Sequence, residues 1–291
     1  MSARYALFGA NVAQSLSPVI YNAAFARSGR DATYEALDVR AMDLSEAIRN
    51  ARDNFAGMNL TAPHKETVLK YLDEIDSDVR EVRAANTVAI RDGRLHGFNT
   101  DISGFTHALG DLNFDLRGKR LVVLGTGGAA RAAVKAAIRE GAREVVVGGR
   151  RHERSIALCE SLCSSTATSN LIASTMRDTT LARAIKKADL LVHATSVQPR
   201  GGDARLLLDM LPLAELSRDA LAMDLAYSEP PTFFCEATTA PGRIAIDGRS
   251  MLLHQATRAY EIFTGATAPV DSMRDALENA LRQRANVADG T

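Results

Sequence analysis

The sequence predicts an α/β protein of two domains, the second built on a doubly wound parallel sheet with helices on both faces. Three observations carry this. Strand-like and helix-like patterns alternate along the chain, the strands of its middle part are mostly apolar, and a glycine-rich turn joins one of those strands to an alanine-rich helix. Alternation of strand and helix marks βαβ units, and parallel strands covered on both faces need apolar residues throughout. With 291 residues, the chain is long enough for two modest domains that each bury a core.

The elements follow in order. Residues 5–8 read as a strand, and Pro18 opens a helix whose apolar positions Ile20, Ala24 and Phe25 fall at helical spacing. Residues 56–60 form a short buried strand that runs into the Thr61-Ala62-Pro63 turn. Residues 87–90 and 95–97 flank Asp92-Gly93, a hairpin signal. A helix starts near residue 101, with Thr100 or Asp101 expected as its cap. Residues 120–124, 144–147, 189–193 and 221–225 are the strands of the second domain, and the chain from Ser250 onward reads as two helices broken near Gly265 and Pro269.

Composition narrows the function classes. Lys+Arg and Asp+Glu both number 35, so no bulk field recruits nucleic acid or anionic lipid. The N-terminal apolar run is too short for a signal peptide and no stretch is suited to span a membrane, so the cytoplasm is the expected compartment. Three cysteines make no disulfide framework. Cys159 and Cys163 are spaced like a metal pair on a helix, but no His or acidic cluster completes a site, so both are expected as small buried hydrophobes and no metal is expected.

Gly125-Thr126-Gly127-Gly128-Ala129-Ala130 fits the dinucleotide-binding pattern G-x-G-x-x-G/A, following a strand and opening a helix. The first glycine makes the tight turn, the second lets backbone approach a pyrophosphate, and the third small residue lets helix and strand pack. The helix N-terminus then offers free N–H groups to the phosphates. At the end of the next strand, where an NAD-binding domain usually places a carboxylate for the ribose 2′-hydroxyl, this chain has Gly148-Gly149-Arg150-Arg151, with Arg154 one turn on. Guanidiniums suit a 2′-phosphate, and cations at a helix N-terminus are otherwise unfavourable, so NADP is the expected cofactor.

The first hundred residues carry polar groups of a different kind. Ser15 and Ser17 precede a helix; Asn59, Thr61 and Lys65 surround the Pro63 turn; Asn86-Thr87 and Asn99-Thr100-Asp101 lie at strand ends. Each alone has an ordinary explanation as a cap, a turn residue or a solvated group. Their order and spacing resemble the shikimate dehydrogenase family: S-x-S-P at residues 15–18, N-x-T-x-P-x-K at 59–65, A-x-N-T at 84–87, G-x-N-T-D at 97–101, G-x-G-G-A-x-R at 125–131, A-T-S at 194–196, D-x-x-Y at 224–227 and D-G-x-x-M-L-x-x-Q at 247–255.

This resemblance implies a substrate-binding and catalytic domain over 1–102, an NADP-binding Rossmann domain over 103–246, and C-terminal helices over 247–291 that return to the first domain. It implies reversible NADP-dependent reduction of 3-dehydroshikimate to shikimate, with Lys65 and Asp101 as the catalytic pair. By the same resemblance Ser15, Ser17 and Tyr227 hold the substrate carboxylate, while Asn59, Thr61, Asn86 and Gln255 join in substrate binding. The cofactor contacts it implies include Thr195, Leu225 and Gly248. The partner is a small molecule, and a homodimer is the expected assembly. Related readings are a quinate/shikimate dehydrogenase or a paralogue for another hydroxylated ring acid, and, in a different class, a metabolite-binding sensor without turnover. The chain departs from the family pattern near the cofactor: His193 stands where Asn is usual, Gln198 and Ser250 where Gly is usual, and Gly149 precedes Arg150 in place of an amide.

Overall fold

The computed structural model describes residues 2–163 and 169–289. It divides into two compact units, one of Met1–Phe105 with Met251–Thr291, the other Thr106–Ser250.

In chain order, the first unit begins with β1 (Ala3–Gly9), α1 (Ser17–Arg27), β2 (Ala32–Asp38), α2 (Leu44–Asn54), β3 (Gly57–Leu60) and α3 (His64–Thr67). It continues with β4 (Glu74–Ile75), α4 (Ser77–Val82), β5 (Thr87–Arg91), β6 (Arg94–Phe98) and α5 (Asp101–Gly110), the last of which runs into the second unit. The six strands form one mixed sheet in the order β2-β1-β3-β5-β6-β4. β1 is parallel to β2 and β3, and β5 is antiparallel to β3 and β6. The β5–β6 hairpin turns at Asp92 and Gly93, both with positive φ (51° and 69°), the backbone a two-residue primed turn requires. Below this sheet, Ala6, Phe8, Leu44, Ile48, Met58, Val79, Val88 and Leu95 form a buried cluster.

The helix at residue 101 is not capped as expected. The Asn99 carboxamide oxygen accepts the N–H groups of Asp101 and Ile102 at 3.1 and 3.3 Å. Thr100 and Asp101 have other partners, which leaves Asn99 as the side chain able to satisfy those donors.

The second unit contains β7 (Arg120–Leu124), α6 (Gly128–Arg139), β8 (Glu144–Gly149), α7 (His152–Leu162), β9 (Asn170–Thr175) and α8 (Thr179–Lys187). β10 (Leu190–His193), α9 (Gly202–Asp209), β11 (Leu221–Asp224), α10 (Phe233–Thr238) and β12 (Ile244–Ile246) complete it. Its sheet is parallel throughout, in the order β12-β11-β10-β7-β8-β9. From β7 the chain winds outward through β8 to β9, then returns to β7's other side for β10, β11 and β12. The switch therefore lies between β7 and β10, where open α/β sheets bind ligands at the strands' carboxyl ends. β7 after Arg120, all of β10 and all of β11 are buried, and apart from His193 and Asp224 at the carboxyl ends these residues are apolar, as strands covered on both faces require.

The chain ends in α11 (Arg249–Thr264) and α12 (Val270–Asp289). Beyond its first two residues α11 belongs to the first unit, as does α12. There Tyr260 donates to Ser28 Oγ at 2.7 Å and its ring lies 5.6 Å from that of Phe25, while the Phe263 ring lies 4.9 Å from that of Tyr5. Gly104 lets α5 and α11 approach closely: a Cβ on it would stand 2.9 Å from Gln255 Cβ and 3.0 Å from the Met251 carbonyl oxygen. Cys163 departs from the expectation of burial. α7 stops at Leu162, so Cys163 falls just past the helix and is exposed, whereas Cys159, one turn back on the apolar face, is buried. Among the described residues no helix is long and apolar enough to cross a membrane.

Candidate active site

In the first unit, pairing register gathers polar side chains at one edge of the sheet. Asn59 near the end of β3 lies opposite Thr87 at the start of β5, and Thr87 lies opposite Phe98 at the end of β6. Residues following β3 and β6 therefore meet those preceding β5. Lys65 Nζ on α3 donates to Asp101 Oδ2 on α5 at 2.6 Å, with the side chains 15% and 5% exposed. The Asn86 amide donates to the other Asp101 oxygen and to Thr100 Oγ1, both at 2.9 Å, and approaches Gln255 Oε1 at 3.3 Å. The Thr100 backbone N–H returns to Asn86 Oδ1 at 2.8 Å. Lys65, Asn86, Asp101 and Gln255, separated by up to 190 positions in sequence, thus form one hydrogen-bonded group.

Asn59 lies behind this group. It is 5% exposed, its Oδ1 accepts the Tyr34 hydroxyl at 2.8 Å, and its amide donates to the Asn86 carbonyl and Thr87 Oγ1 at 3.1 and 2.9 Å. Both amide hydrogens are used within the sheet, so Asn59 holds β3 against β5 instead of presenting an amide to a substrate. Tyr34, Thr87 and Thr100 are the members of the network missing from the expected set. Thr87 and Thr100 lay within the quoted motifs, but nothing in the sequence distinguishes Tyr34 from an ordinary strand aromatic.

Ser15 and Ser17 form a separate pair. Their hydroxyl oxygens are 3.2 Å apart, and Ser15 Oγ accepts the Ser17 N–H at the same distance. The N-cap residue Leu16 supplies no side-chain cap, and Ser15 Oγ takes up the first N–H of α1 in its place. The first turn of an 11-residue helix is therefore joined by two hydroxyls, which suits a carboxylate. Thr61 follows β3, its methyl set against Gly9, where an added Cβ would overlap it. No hydrogen bond joins the serines or Thr61 to the Lys65 group among the described residues. Tyr227 lies in the second unit, just after β11.

In the second unit the glycine turn has the required form. Gly125 has φ 126°, and a Cβ there would strike the Ala194 carbonyl, so this glycine fixes the approach of the β7 and β10 ends. Gly127 differs: it takes the N-cap position of α6 in an extended conformation, and a Cβ on it would meet nothing within 4 Å. Local packing gives no reason for glycine there, but the approach of a ligand to bare backbone does. No side chain caps α6, and Gly128 and Ala129 supply its first N–H groups. Ala130 is fully buried, as close helix–strand packing requires. Thr126 packs beside Gly149, where a Cβ would stand 2.9 Å from its methyl.

Arg150, Arg151 and Arg154 are all exposed at the start of α7, with Arg151 in its N-cap position and no side-chain cap. Among the described residues none of the three guanidiniums has a hydrogen-bonding or ion-pair partner. Leu225 donates its N–H to the His193 carbonyl at 2.8 Å, and Gly248 donates to the Ala226 carbonyl at 2.9 Å. A Cβ on Gly248 would collide with the Leu225 carbonyl, so the loops after β11 and β12 are in backbone contact. Ser250 turns its hydroxyl onto Asp111 Oδ2 at 2.5 Å. The described residues hold no group of three or more His, Cys, Asp or Glu placed to share a metal ion.

The chain matches three family models: the shikimate dehydrogenase substrate binding domain over residues 7–88, shikimate / quinate 5-dehydrogenase over 108–227, and the shikimate 5'-dehydrogenase C-terminal domain over 248–278. It is 38% identical to the shikimate dehydrogenase (NADP(+)) of Methanopyrus kandleri over 281 residues, 95% of each chain. The crystal structure of shikimate dehydrogenase from Aquifex aeolicus superposes with a TM-score of 0.83 at 29% identity, covering 95% of this chain and 97% of that one. The Thermus thermophilus shikimate 5-dehydrogenase in complex with NADP(H) and shikimate superposes with a TM-score of 0.79 at 33% identity, covering 96% of this chain and 100% of the other. With catalytic-type polar groups on one unit and a dinucleotide turn on the other, the chain belongs to the shikimate dehydrogenase family.

Proposed function

We propose that this protein is an NADP-dependent shikimate dehydrogenase that interconverts 3-dehydroshikimate and shikimate. The observation that carries the reading is the Lys65–Asp101 pair, part-buried and tied through Asn86 to Gln255. A bare ammonium beside a carboxylate is suited to reducing a ring ketone, because negative charge develops on the carbonyl oxygen and a proton must reach it.

The bound dinucleotide supplies, or in the reverse direction accepts, a hydride at its nicotinamide ring. Lys65 Nζ stabilises the developing alkoxide and delivers its proton to that oxygen; in the oxidation it takes the proton up. Asp101 fixes the direction of Nζ through Oδ2, while Asn86 holds Oδ1 and stops the carboxylate from rotating. Gln255 Oε1 offers an acceptor to a ring hydroxyl, and Asn86 holds Asp101 and Gln255 in place for it. Ser15 and Ser17 at the start of α1 bind the carboxylate, with Tyr227 as a further donor. Thr61 adds a hydroxyl, and Asn59 orders this edge from behind. Gly125, Thr126, Gly127, Gly128 and Ala129 hold the pyrophosphate; Arg150, Arg151 and Arg154 hold the 2′-phosphate; Thr195, Leu225 and Gly248 complete the cofactor side.

The test crosses shikimate and quinate with NADP+ and NAD+ in a steady-state assay at the reduced-cofactor absorbance. The expected result is the highest kcat/KM for shikimate with NADP+. Equal or greater kcat/KM for quinate would make the protein a quinate/shikimate dehydrogenase. Tight binding of shikimate with no turnover under any combination would make it a sensor.

A further inference from the structure

His193 is not used in the reaction outlined above, yet its side chain has two side-chain hydrogen-bonding partners. It ends β10, is 3% exposed, and stacks on Phe234 with ring centroids 5.1 Å apart and planes 15° apart. Nδ1 lies 3.0 Å from Asp224 Oδ1 and Nε2 lies 2.7 Å from Thr195 Oγ1. Asp224 at the end of β11 is 1% exposed; Oδ1 also accepts the Ala226 N–H at 3.0 Å, and Oδ2 is buried without a hydrogen-bond partner. Thr195 is half-buried, and its backbone N would stand 3.1 Å from a Cβ on Gly125. The hydroxyl at the end of this chain of bonds therefore lies at the switch point between β7 and β10, beside the dinucleotide turn.

For a neutral imidazole, donor and acceptor counting fixes the polarity of this relay. A carboxylate only accepts, so Nδ1 of His193 carries the proton. In the neutral ring Nε2 is then a lone pair, and Thr195 must donate its single hydroxyl hydrogen to it. Both lone pairs of the Thr195 oxygen are left facing away from the imidazole. We propose that His193 is a positioning residue for dinucleotide binding: by holding the Thr195 hydrogen it makes the Thr195 oxygen an acceptor for a donor group of the bound dinucleotide, a ribose hydroxyl or a carboxamide N–H. The inference rests on the dinucleotide reading of this unit. An Asn at 193, usual in the family, offers both a donor and an acceptor and does not impose this polarity; the imidazole pinned by Asp224 does. Cys235 on α10 and Asp247 after β12 interact electrostatically with Asp224; burial pushes that thiol up to about 11 and raises the Asp247 carboxyl above its ordinary value.

The experiment is a double-substitution cycle read by NADP+ dissociation constants, with His193→Gln, Thr195→Val and the double variant. Shikimate dissociation constants and Tm are measured in parallel. Each single variant is expected to weaken NADP+ binding about five- to tenfold, the scale of one hydrogen bond. The double variant should be no weaker than the worse single, because His193 acts through Thr195. Shikimate binding should not change. A second measurement needs no change at His193: the ring nitrogens of 15N-labelled wild-type protein should report Nδ1 protonated and Nε2 as a hydrogen-bonded lone pair at pH 8, and the Nε2 signal should move in Thr195→Val. Additive losses in the cycle, or a ring protonated on Nε2 and bare on Nδ1, overturn the proposal while leaving the dinucleotide reading intact. Failure of the wild-type protein to bind NADP+ overturns both.

Discussion

Lys65 and Asp101 face each other at 2.6 Å from α3 and α5, and the second carboxylate oxygen is held by Asn86 at 2.9 Å. The pair is mostly excluded from solvent, so each charge depends on the other for solvation. Lys65→Ala is expected to lower kcat about a hundredfold or more, with a smaller change in KM, because the lost group acts mainly on the developing oxyanion. Near-normal kcat in this variant would remove Lys65 from the chemistry. Asp101→Asn should also lower kcat while leaving NADP+ affinity unchanged.

The serine pair predicts a loss confined to substrate. Ser17→Ala removes one of the two hydroxyls at the start of α1, and shikimate affinity should fall by about 1–2 kcal/mol, the range for a hydrogen bond to a charged group. Titrations of shikimate and NADP+ separate the cases. Equal loss for both ligands would indicate damage to folding.

At the cofactor side, Arg150→Ala should raise KM for NADP+ strongly and leave KM for NAD+ nearly unchanged, since NAD+ has no phosphate at the 2′ position. Charge-assisted hydrogen bonds of about 1.5–3 kcal/mol set the scale. The preference should shrink as salt rises, because the arginines are exposed and screened. A wild-type protein that uses NAD+ equally well would leave the three arginines without this role.

Asn59 should act through stability. Asn59→Ala strands the buried Tyr34 hydroxyl and frees Thr87 Oγ1, and urea unfolding should record a loss of about 1–3 kcal/mol. Adding Tyr34→Phe should recover part of the loss by removing the stranded group. No recovery would mean that the Tyr34 bond is not what Asn59 supports.

The cysteines should separate by reactivity. Burial raises the thiols of Cys159 and Cys235 to about 11, whereas Cys163 is exposed. The thiolate is the reactive form, so at pH 8 one rapid equivalent of thiol reagent, at Cys163, is expected from the native protein. Reaction at Cys159 and Cys235 should appear on unfolding or as pH climbs toward 11. For stability the sign follows from the raised native pKa: the unfolded chain loses these protons first, so both thiols favour unfolding progressively from about pH 9 upward. Mass mapping of three equally fast sites would contradict the burial.

The sequence by itself determined the fold class and most of the element plan, because those features are local. Mostly apolar strands require a sheet covered on both faces, Asp92-Gly93 specifies the hairpin of the first unit, and the glycine turn specifies a strand-to-helix junction wherever it occurs. It also identified Lys65, Asn86, Asp101 and Gln255 through their resemblance to known motifs, without a way to calculate that they touch. Only the tertiary structure decided that contact, since it depends on the β3–β5–β6 register and on α11 returning to the first unit. The same dependence explains the departures. Asn59 is used up inside the sheet because Tyr34 and Thr87 reach it across strands, Asn99 caps α5 because Asp101 is turned to Lys65, and Cys163 is exposed because α7 stops one residue before it. The side chain at 193 could be read from the sequence, but its hydrogen-bond polarity could not, because polarity is a property of the partners that folding brings to it.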